Sequence, residues 1–450
     1  MPRIKRSLGE AQVKAQRSYV VRRLLVPAQR FIQTETVGGV FLFGAAAIAL
    51  LWANSRWGGS YTAFFRTPLQ FHLGFFSLSR DVQHWVNDGL MTIFFFVVGL
   101  EIKRELVEGA LSQWRQAALP TFAAIGGMIV PVLIYLWLNL GESGARGWGI
   151  PMATDIAFAL GALALVGAGI PPVLRILLLS LAIADDIGAI LVIALAYTDA
   201  LSWTPIAIAL AIYAVIVAYV RFGIRRVRLY GLLGFFFWLA VLQSGVHATI
   251  AGVILGLTAP HQPDYDLRRF ADELSRLASS LRNRFEQGRE EEAEELLGQI
   301  EELTVATEPL LDRFLRRIHP WSTFVVLPIF ALANSGVVFS GGVLAGAMGS
   351  EVSRGVLLGL WLGKPLGVFG FAWVAVKLGI ARLPDGVRWS HILGLGMLAG
   401  IGFTVSLFIS DIAFDVETTT AHAKIGIIAA SLLAGVAGIL YLRLVGRRPI

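Results

Sequence analysis

Long apolar runs and short polar segments follow one another along the chain. Each apolar run is on the order of 20 residues, which is the length of a helix that crosses a bilayer. The regular alternation that membrane β-barrel strands require is absent from these runs. The predicted fold is therefore an all-α polytopic membrane protein. Twelve transmembrane helices are predicted, at about residues 36–54, 85–102, 117–139, 147–168, 172–197, 203–220, 228–242, 244–259, 320–340, 354–377, 390–413 and 420–442.

Polar segments divide these spans into regions. The N-terminal residues are basic and contain no cleavable apolar core, which favours a cytoplasmic arm over a signal peptide. The predicted regions are a basic cytoplasmic arm (1–34), spans one to eight (35–260), a charged cytoplasmic helical insert (261–318), spans nine to twelve (319–443) and a cytoplasmic tail (444–450).

Two polar segments have a pattern of their own. Residues 67–79 alternate around a central glycine, which predicts a β-hairpin on the outside. Within 261–318, apolar residues recur at helical spacing on both sides of Gln287-Gly288, which predicts two amphipathic helices. Because charge runs usually face water, a solvated helical spacer without a specific partner is the favoured interpretation of this insert.

Composition and charge support a membrane protein. Hydrophobic residues make up 56% of the chain and charged residues 15%, against about 45–50% and 25% in soluble domains. With the N-terminus inside, 31 of the 38 lysines and arginines fall in cytoplasmic segments, which predicts that both termini are cytoplasmic. The net charge of +7 therefore faces the inner leaflet, and a nucleic-acid partner is not expected. The absence of cysteine excludes disulfides and thiol catalysis.

Ionisable residues at membrane depth are the candidates for function. Each one costs about 2.5–3.5 kcal/mol at the centre of a span, so its presence needs a reason. Asp185 and Asp186 lie midway along span five, Thr154 and Asp155 in span four, and Lys364 in span ten. Three carboxylates against one ammonium group leave an excess of negative charge. This excess predicts a cation site with oxygen ligands, which suit a hard cation such as sodium.

Each candidate also has a purely structural interpretation. One buried aspartate can serve only to hydrogen-bond two helices together. Adjacent aspartates are harder to explain in this way, because they point about 100° apart and can face a lysine and a cavity separately. For Asp88, Glu101, Glu105 and His247, which lie nearer the ends of spans, both interpretations remain open.

Helix-breaking residues occur at matching depths in two spans. Pro151 precedes Thr154 and Asp155, and Gly400-Ile-Gly402 interrupts span eleven. Paired interruptions of this kind are typical of the ion site in transporters with inverted repeats, here spans three to five and ten to twelve. Asp155 and Lys364 are predicted to compensate the dipole ends of the interrupted helices.

Several motifs together carry a family resemblance. The chain resembles the NhaA-type sodium/proton antiporters of bacteria from about residue 35 to 440, with the motifs in the family's order. The matching segments are Asn87-Asp-Gly-Leu-Met91, Val98-Gly-Leu-Glu-Ile-Lys-Arg-Glu-Leu106, Pro151-Met-Ala-Thr-Asp-Ile-Ala-Phe-Ala-Leu-Gly161, Ala182-Ile-Ala-Asp-Asp-Ile-Gly-Ala-Ile190, Ser244-Gly-Val-His-Ala-Thr-Ile-Ala-Gly-Val253, His319-Pro-Trp321, Gly363-Lys-Pro-Leu-Gly367 and Gly402-Phe-Thr-Val-Ser-Leu-Phe408.

The resemblance implies a fold and an activity. It implies twelve helices with two crossed broken helices, a cytoplasmic funnel that ends at the aspartates, and a homodimer joined through the hairpin. The implied activity is exchange of sodium or lithium for protons across the bacterial inner membrane, which serves sodium and pH homeostasis and needs no cofactor. The 261–318 insert is not part of the family's short common pattern.

The resemblance also implies roles for individual residues. Asp186 matches the principal carrier of sodium and protons, and Asp155 and Thr154 match its assisting ligands. Asp185 matches the partner of Lys364. Positions tied to pH response are matched by Glu101, Glu105 and His247.

Other classes of membrane protein are weighed against this one. An intramembrane aspartyl protease also needs two aspartates, but its Gly-x-Gly-Asp site is absent and Lys364 would have no purpose. A passive cation channel would not need a lysine opposite its acidic groups. A sodium-coupled solute symporter is the nearer alternative, because the sequence does not exclude a pocket for an organic substrate.

Overall fold

Helices make up most of the computed structural model, which describes residues 26–73, 76–167, 169–198, 201–223, 226–262 and 267–446. The prediction of a helical protein is confirmed. Most of the predicted N-terminal arm and the end of the predicted tail lie outside the described residues.

The first half of the chain contains ten helices and the hairpin among its described residues. They are α1 (Val26–Ala53), α2 (Gly58–Phe65), β1 (Pro68–Leu73), β2 (Phe76–Asp81), α3 (Val82–Trp85), α4 (Met91–Val107), α5 (Trp114–Asn139), α6 (Ile156–Val166), α7 (Val173–Ala196), α8 (Trp203–Arg221), α9 (Val227–Leu242) and α10 (Thr249–Thr258). A π-helical turn (Val86–Leu90) joins α3 to α4, and two 3₁₀ segments are Ala110–Ser112 and Ser143–Met152.

The second half of the chain begins with the insert. The described helices of this half are α11 (Leu267–Glu286), α12 (Glu290–Ala306), α13 (Leu310–Trp321), α14 (Leu327–Asn334), α15 (Gly341–Gly349), α16 (Glu351–Leu358), α17 (Lys364–Lys377), α18 (Trp389–Ala399), α19 (Phe403–Ala413) and α20 (Glu417–Gly446). Two more π-helical turns, Ser322–Val326 and Gly359–Gly363, precede α14 and α17.

The number of spans depends on how broken helices are counted. By length and composition, five helices in the described residues are able to cross a membrane, or eight if each bent pair is one span. The sequence predicts twelve spans. This number is larger because apolar length alone does not reveal where a helix is interrupted or short. The eighth predicted span contains only α10, since Gly245 turns the chain with φ 84° before it. The ninth ends early, at Asn334, and is followed by α15, which the sequence pattern did not predict.

The described residues group into two compact units. The first unit takes the described parts of Met1–Arg66, Trp114–Ala189 and Thr323–Ile450, and the second unit takes those of Thr67–Gln113 and Ile190–Ser322. Segments that are distant in sequence therefore share a core, whereas the pattern of polar segments predicts regions that are continuous in sequence.

In the first unit, α5 and α17 pack at backbone distance. A Cβ on Gly126 would overlap the carbonyl oxygen of Gly367, and a Cβ on Gly367 would overlap that of Gly126. Small residues at such a crossing allow two membrane helices to approach closely. The unit's buried core also takes side chains from α6, α7, α18 and α20, such as Leu163, Leu178, Leu395 and Leu442.

The second unit contains the hairpin and the insert. β1 and β2 pair antiparallel with Phe71 opposite Leu78, where the sequence predicts a hairpin. In the insert, α11 and α12 are joined at Gly288, whose φ of 70° favours glycine. Arg284 of α11 forms an ion pair with Glu292 of α12. The insert therefore contains the helical pair that the sequence predicts.

An ion pair of the first unit is nearly buried between α19 and α20. Nζ of Lys424 lies 2.7 Å from Oδ1 of Asp411, and the two side chains are 11% and 12% exposed. We expect Lys424→Met to lower the free energy of unfolding by about 3 kcal/mol, because it leaves the carboxylate without its counter-ion. Chemical unfolding in detergent micelles measures this change.

The matched control is an exposed ion pair of the same unit. Arg66 and Glu417 lie 2.8 Å apart and are 57% and 80% exposed, so Glu417→Gln should change the free energy of unfolding by less than about 1 kcal/mol. If Lys424→Met and Glu417→Gln lowered the free energy of unfolding equally, this would contradict a stabilising role for the buried pair.

Candidate functional site

The first broken helix is interrupted between the 3₁₀ segment Ser143–Met152 and α6. Residues 153–155 are extended, and the two helical parts are bent by 47°. Asp155 is the N-cap of α6, where its Oδ1 accepts a hydrogen bond from the Phe158 N–H at 3.0 Å. Aspartate is favoured at an N-cap because its carboxylate pairs with free N–H groups and faces the positive end of the helix dipole.

The second broken helix is interrupted between α18 and α19, at Gly400–Gly402, with a bend of 45°. The two interruptions lie against each other. The Asp155 N–H donates to the Ile401 carbonyl at 2.6 Å, and the Ser406 hydroxyl donates to the Ile150 carbonyl at 2.8 Å. Backbone groups released from one helix thus find partners in the other, which the membrane interior requires.

Asp155 also bonds to the second broken helix. Its Oδ2 accepts from the N–H of Thr404 at 3.0 Å and from the Thr404 hydroxyl at 2.6 Å. Thr404 stands in the first turn of α19. The carboxylate of Asp155 therefore caps the N-terminal ends of both α6 and α19.

Lys364, Asp185 and Thr154 form a buried polar group. The Lys364 ammonium forms an ion pair with Oδ2 of Asp185, and both side chains are fully buried. The Thr154 hydroxyl accepts from Nζ of Lys364 at 2.9 Å. It lies 2.7 Å from Oδ2 of Asp185 and 2.9 Å from the Ala399 carbonyl, either of which accepts its proton.

Two local features place the Lys364 side chain in this group. A π-helical turn ends at Gly363, and such turns shift the face on which the next residues lie and occur frequently at functional sites. On α5, a Cβ at Gly127 would lie 3.6 Å from Cδ of Lys364 and 3.8 Å from Oδ1 of Asp185. The nearest atom to such a Cβ would be Cγ2 of Val368 at 3.0 Å, so Gly127 allows α5 to pack closely against α17 beside the ion pair.

Asp186 follows Asp185 on α7 and is 4% exposed. It lies within electrostatic range of the Lys364 ammonium group. The structure therefore places both adjacent aspartates near the lysine, with Asp185 as the hydrogen-bonded partner.

The three aspartates do not form one cluster of metal ligands in this structure. Among the described residues, no group of three or more His, Cys, Asp or Glu side chains is arranged to hold a metal ion. Thr154 contacts Asp185, and Asp155 contacts Thr404. Asp155 does cap a helix, whereas Lys364 bonds to side chains of Asp185 and Thr154 because the buried carboxylate is its stronger partner.

The candidate pH-response residues all lie in the second unit. Oε1 of Glu101 lies 3.2 Å from Nε2 of His319, and both side chains are largely buried. Oε1 of Glu105 accepts from the Ala110 N–H at 2.9 Å. Nδ1 of His247 lies 2.9 Å from the Thr249 hydroxyl at the start of α10. Each residue thus has its own local partner.

Sequence reasoning missed several contacts of the candidate residues. Thr404 and Gly127 were given no role, and His319 was not identified as the partner of Glu101. The signal for Thr404 was its position two residues after the Gly400–Gly402 interruption, at the start of a half-helix whose free N–H groups attract a carboxylate. The contact of Gly127 depends on tertiary packing and has no local signal.

Comparison with known proteins gives consistent matches. A sequence profile of the family described as Na+/H+ antiporter 1 matches residues 29–442. The protein called Na(+)/H(+) antiporter NhaA 2 from Syntrophotalea carbinolica is 45% identical, over 92% of this chain and 95% of its own. The Na(+)/H(+) antiporter NhaA of Syntrophobacter fumaroxidans is 44% identical, over 95% and 92%. A solved structure, the sodium proton antiporter MjNhaP1 from Methanocaldococcus jannaschii at pH 8, shares the fold with a TM-score of 0.50 at 11% identity, covering 94% of this chain and 97% of that one.

Proposed function

The chain belongs to the Na+/H+ antiporter 1 family, and on this premise we propose that it exchanges sodium ions for protons across a membrane. The observation that carries the proposal is the fully buried Lys364–Asp185 ion pair, with Asp186 beside it, next to the contact of two interrupted helices. Buried charges at membrane depth are costly and typical of ion pathways. The names of the relatives support exchange rather than sodium-coupled symport of an organic solute.

In this proposal Asp186 is the carrier of both ions. A carboxylate holds either a proton or a sodium ion, so the two compete for one position. If only the loaded carrier passes from one side of the membrane to the other, exchange is obligatory. Asp155 and Thr154 assist by offering oxygen atoms, which sodium prefers as ligands.

Lys364 makes the exchange electrogenic in this proposal. Its ammonium pairs with Asp185 when sodium is absent. Sodium that binds to the aspartates weakens the pair and allows the lysine to release its own proton. More protons than sodium ions then cross in each cycle.

The proposal also covers the transported cations, the membrane and the oligomeric state. Sodium and lithium are the transported cations, and the protein lies in a bacterial inner membrane with both termini in the cytoplasm, as the distribution of Lys and Arg favours. The hairpin of β1 and β2 joins two copies into a homodimer. The family resemblance makes Glu101, Glu105 and His247 the candidate positions for a pH response beyond that of the carrier itself.

The direct test is proton movement in vesicles that contain the purified protein and no organic substrate. Sodium added to one side should drive protons to the same side, and this is read with a pH-sensitive dye. Sodium uptake that needs an added solute and moves no protons would favour the symporter instead.

Sodium affinity is expected to rise with pH, because proton and cation compete for one carboxylate. In the pH range where the carrier carboxylate is protonated, the apparent sodium affinity should fall about tenfold for each one-unit drop in pH, for each proton displaced. The maximal rate at saturating sodium should change much less. Exchange rates measured against sodium concentration at several pH values test this, with the same series for His247→Ala. If saturating sodium fails to restore activity at acidic pH and His247→Ala shifts the profile strongly, a histidine sensor replaces competition.

A further inference from the structure

Thr404 is an unusual neighbour for a carboxylate at membrane depth. It donates two hydrogen bonds to the same oxygen of Asp155, one from its backbone and one from its hydroxyl. Asp155 is 2% exposed and Thr404 is 1% exposed, so neither group is solvated by bulk water. The opposite oxygen of Asp155 is held by the Phe158 N–H. Both ends of the carboxylate are therefore fixed, each by a different half-helix.

We propose that Thr404 is a positioning residue for cation binding, which orients the Asp155 carboxylate and ties it to α19. This inference rests on the proposed function, in which Asp155 assists sodium binding. It goes beyond that function by assigning a role to a side chain of the second broken helix, which acts on sodium only through Asp155.

The physical argument concerns pre-organisation. A carboxylate held at both oxygens does not have to reorient when a cation arrives, so binding loses less free energy to ordering. The Thr404 hydroxyl supplies the shorter of the two bonds to Oδ2, at 2.6 Å. Without it, that oxygen keeps only the longer backbone bond of 3.0 Å, which allows the carboxylate to rotate about its side-chain bonds. Sodium affinity should then fall, while the rates of the steps after binding should stay nearly the same.

The surrounding charges do not replace this bond. The charged groups that contact Thr154, the residue before Asp155, are Asp185 of α7 and Lys364 of α17, and both bond to the Thr154 hydroxyl. The described hydrogen bonds to the Asp155 side chain come from backbone N–H groups and from the Thr404 hydroxyl.

The test compares three variants in vesicles at one pH. Thr404→Val removes the hydroxyl at nearly constant volume and should raise the KM for sodium about tenfold, as expected for the loss of one hydrogen bond to a charged group. The maximal rate should stay within about twofold. Thr404→Ser keeps the hydroxyl and should restore the KM. Ser406→Ala is the matched control, since it removes another hydrogen bond between the same broken helices without contacting a carboxylate, and its KM should stay near that of the wild type.

A double variant tests whether Thr404 acts through Asp155. In the Asp155→Asn background, Thr404→Val should raise the KM no further, because the residue it positions no longer carries the charge. Additive effects would overturn the proposal, as would an unchanged KM in Thr404→Val or an equal rise in Ser406→Ala.

A binding measurement separates this inference from the proposed function. The sodium concentration that gives half of the maximal rise in thermal unfolding temperature in detergent should be about tenfold higher in Thr404→Val. It should return to the wild-type value in Thr404→Ser. This readout needs no transport. Wild-type protein that is stabilised by sodium but moves no protons would overturn the exchange proposal and leave the role of Thr404 standing. Equal sodium dependence in wild type and Thr404→Val would overturn the role of Thr404 alone.

Discussion

Asp186→Asn is expected to abolish sodium-driven proton movement in vesicles. An amide keeps the shape of the carboxylate, but it cannot take up and release a proton near neutral pH or offer a full negative charge to sodium. Asp186 is 4% exposed, so water does not substitute for it readily. Because the proposed cycle has one carrier for both ions, we expect the rate to fall to the background of empty vesicles.

The controls for Asp186→Asn are two other aspartates of the same unit. Asp155→Asn should weaken sodium affinity more mildly, since Thr154 and backbone carbonyls remain as oxygen ligands. Asp411→Asn changes an aspartate that pairs with Lys424 away from the contact of the broken helices, and it should retain exchange per folded molecule. Exchange at the wild-type rate in Asp186→Asn would remove Asp186 from the carrier role.

The local features of the site could be predicted from the sequence. Pro151 and the Gly400–Gly402 segment lie at or beside the two interruptions, because proline and glycine weaken the interior of a helix, although α5 continues through Pro120 and Pro131. The pairing of Lys364 could be predicted from charge, because a lysine at that depth needs an acidic partner. These inferences depend on the free-energy cost of an unpaired polar or charged group in lipid. That cost is known without knowing which residues lie nearby in the fold.

The role of Thr404 could not be predicted in the same way. A hydroxyl in a helix usually bonds to a carbonyl of its own preceding turn, as Thr92 does with the Asp88 carbonyl and Ser410 with that of Leu407. The position of Thr404 after Gly400–Gly402 indicates free N–H groups at the start of a half-helix, but the sequence does not show whether its hydroxyl bonds within its own helix or reaches another one. The Gly126–Gly367 contact is hidden for a related reason, since glycine is frequent in membrane helices and only the packed structure shows which ones touch.

The predicted span count differs from a count of continuous helices for a different physical reason. Apolar length measures how much chain prefers lipid, and it is insensitive to breaks that the rest of the protein stabilises. The interruption before α6 is satisfied by hydrogen bonds to α18 and α19, so it leaves the hydropathy of the segment unchanged. A count based on continuous helices and one based on hydropathy therefore differ at such interrupted helices.

Lys364→Met is expected to lower the free energy of unfolding by about 3–5 kcal/mol, the range for breaking a buried ion pair. Methionine has nearly the length of lysine but no charge, so the main effect is an uncompensated Asp185 carboxylate. Both side chains are fully buried, which leaves little solvent to screen the lost charge. Chemical unfolding in detergent micelles without sodium gives the free energies.

A double-mutant cycle then separates Asp185 from its neighbour Asp186. Adding Asp185→Asn to Lys364→Met should recover part of the loss, because the buried charge left behind is removed together with its partner. The same cycle with Asp186→Asn should give a smaller coupling energy, since the ammonium group donates a hydrogen bond to Asp185, whereas its interaction with Asp186 is electrostatic. Equal coupling to both aspartates would mean that the lysine is shared between them. In that case sodium at Asp186 would weaken the lysine's interactions directly, without first displacing it from Asp185.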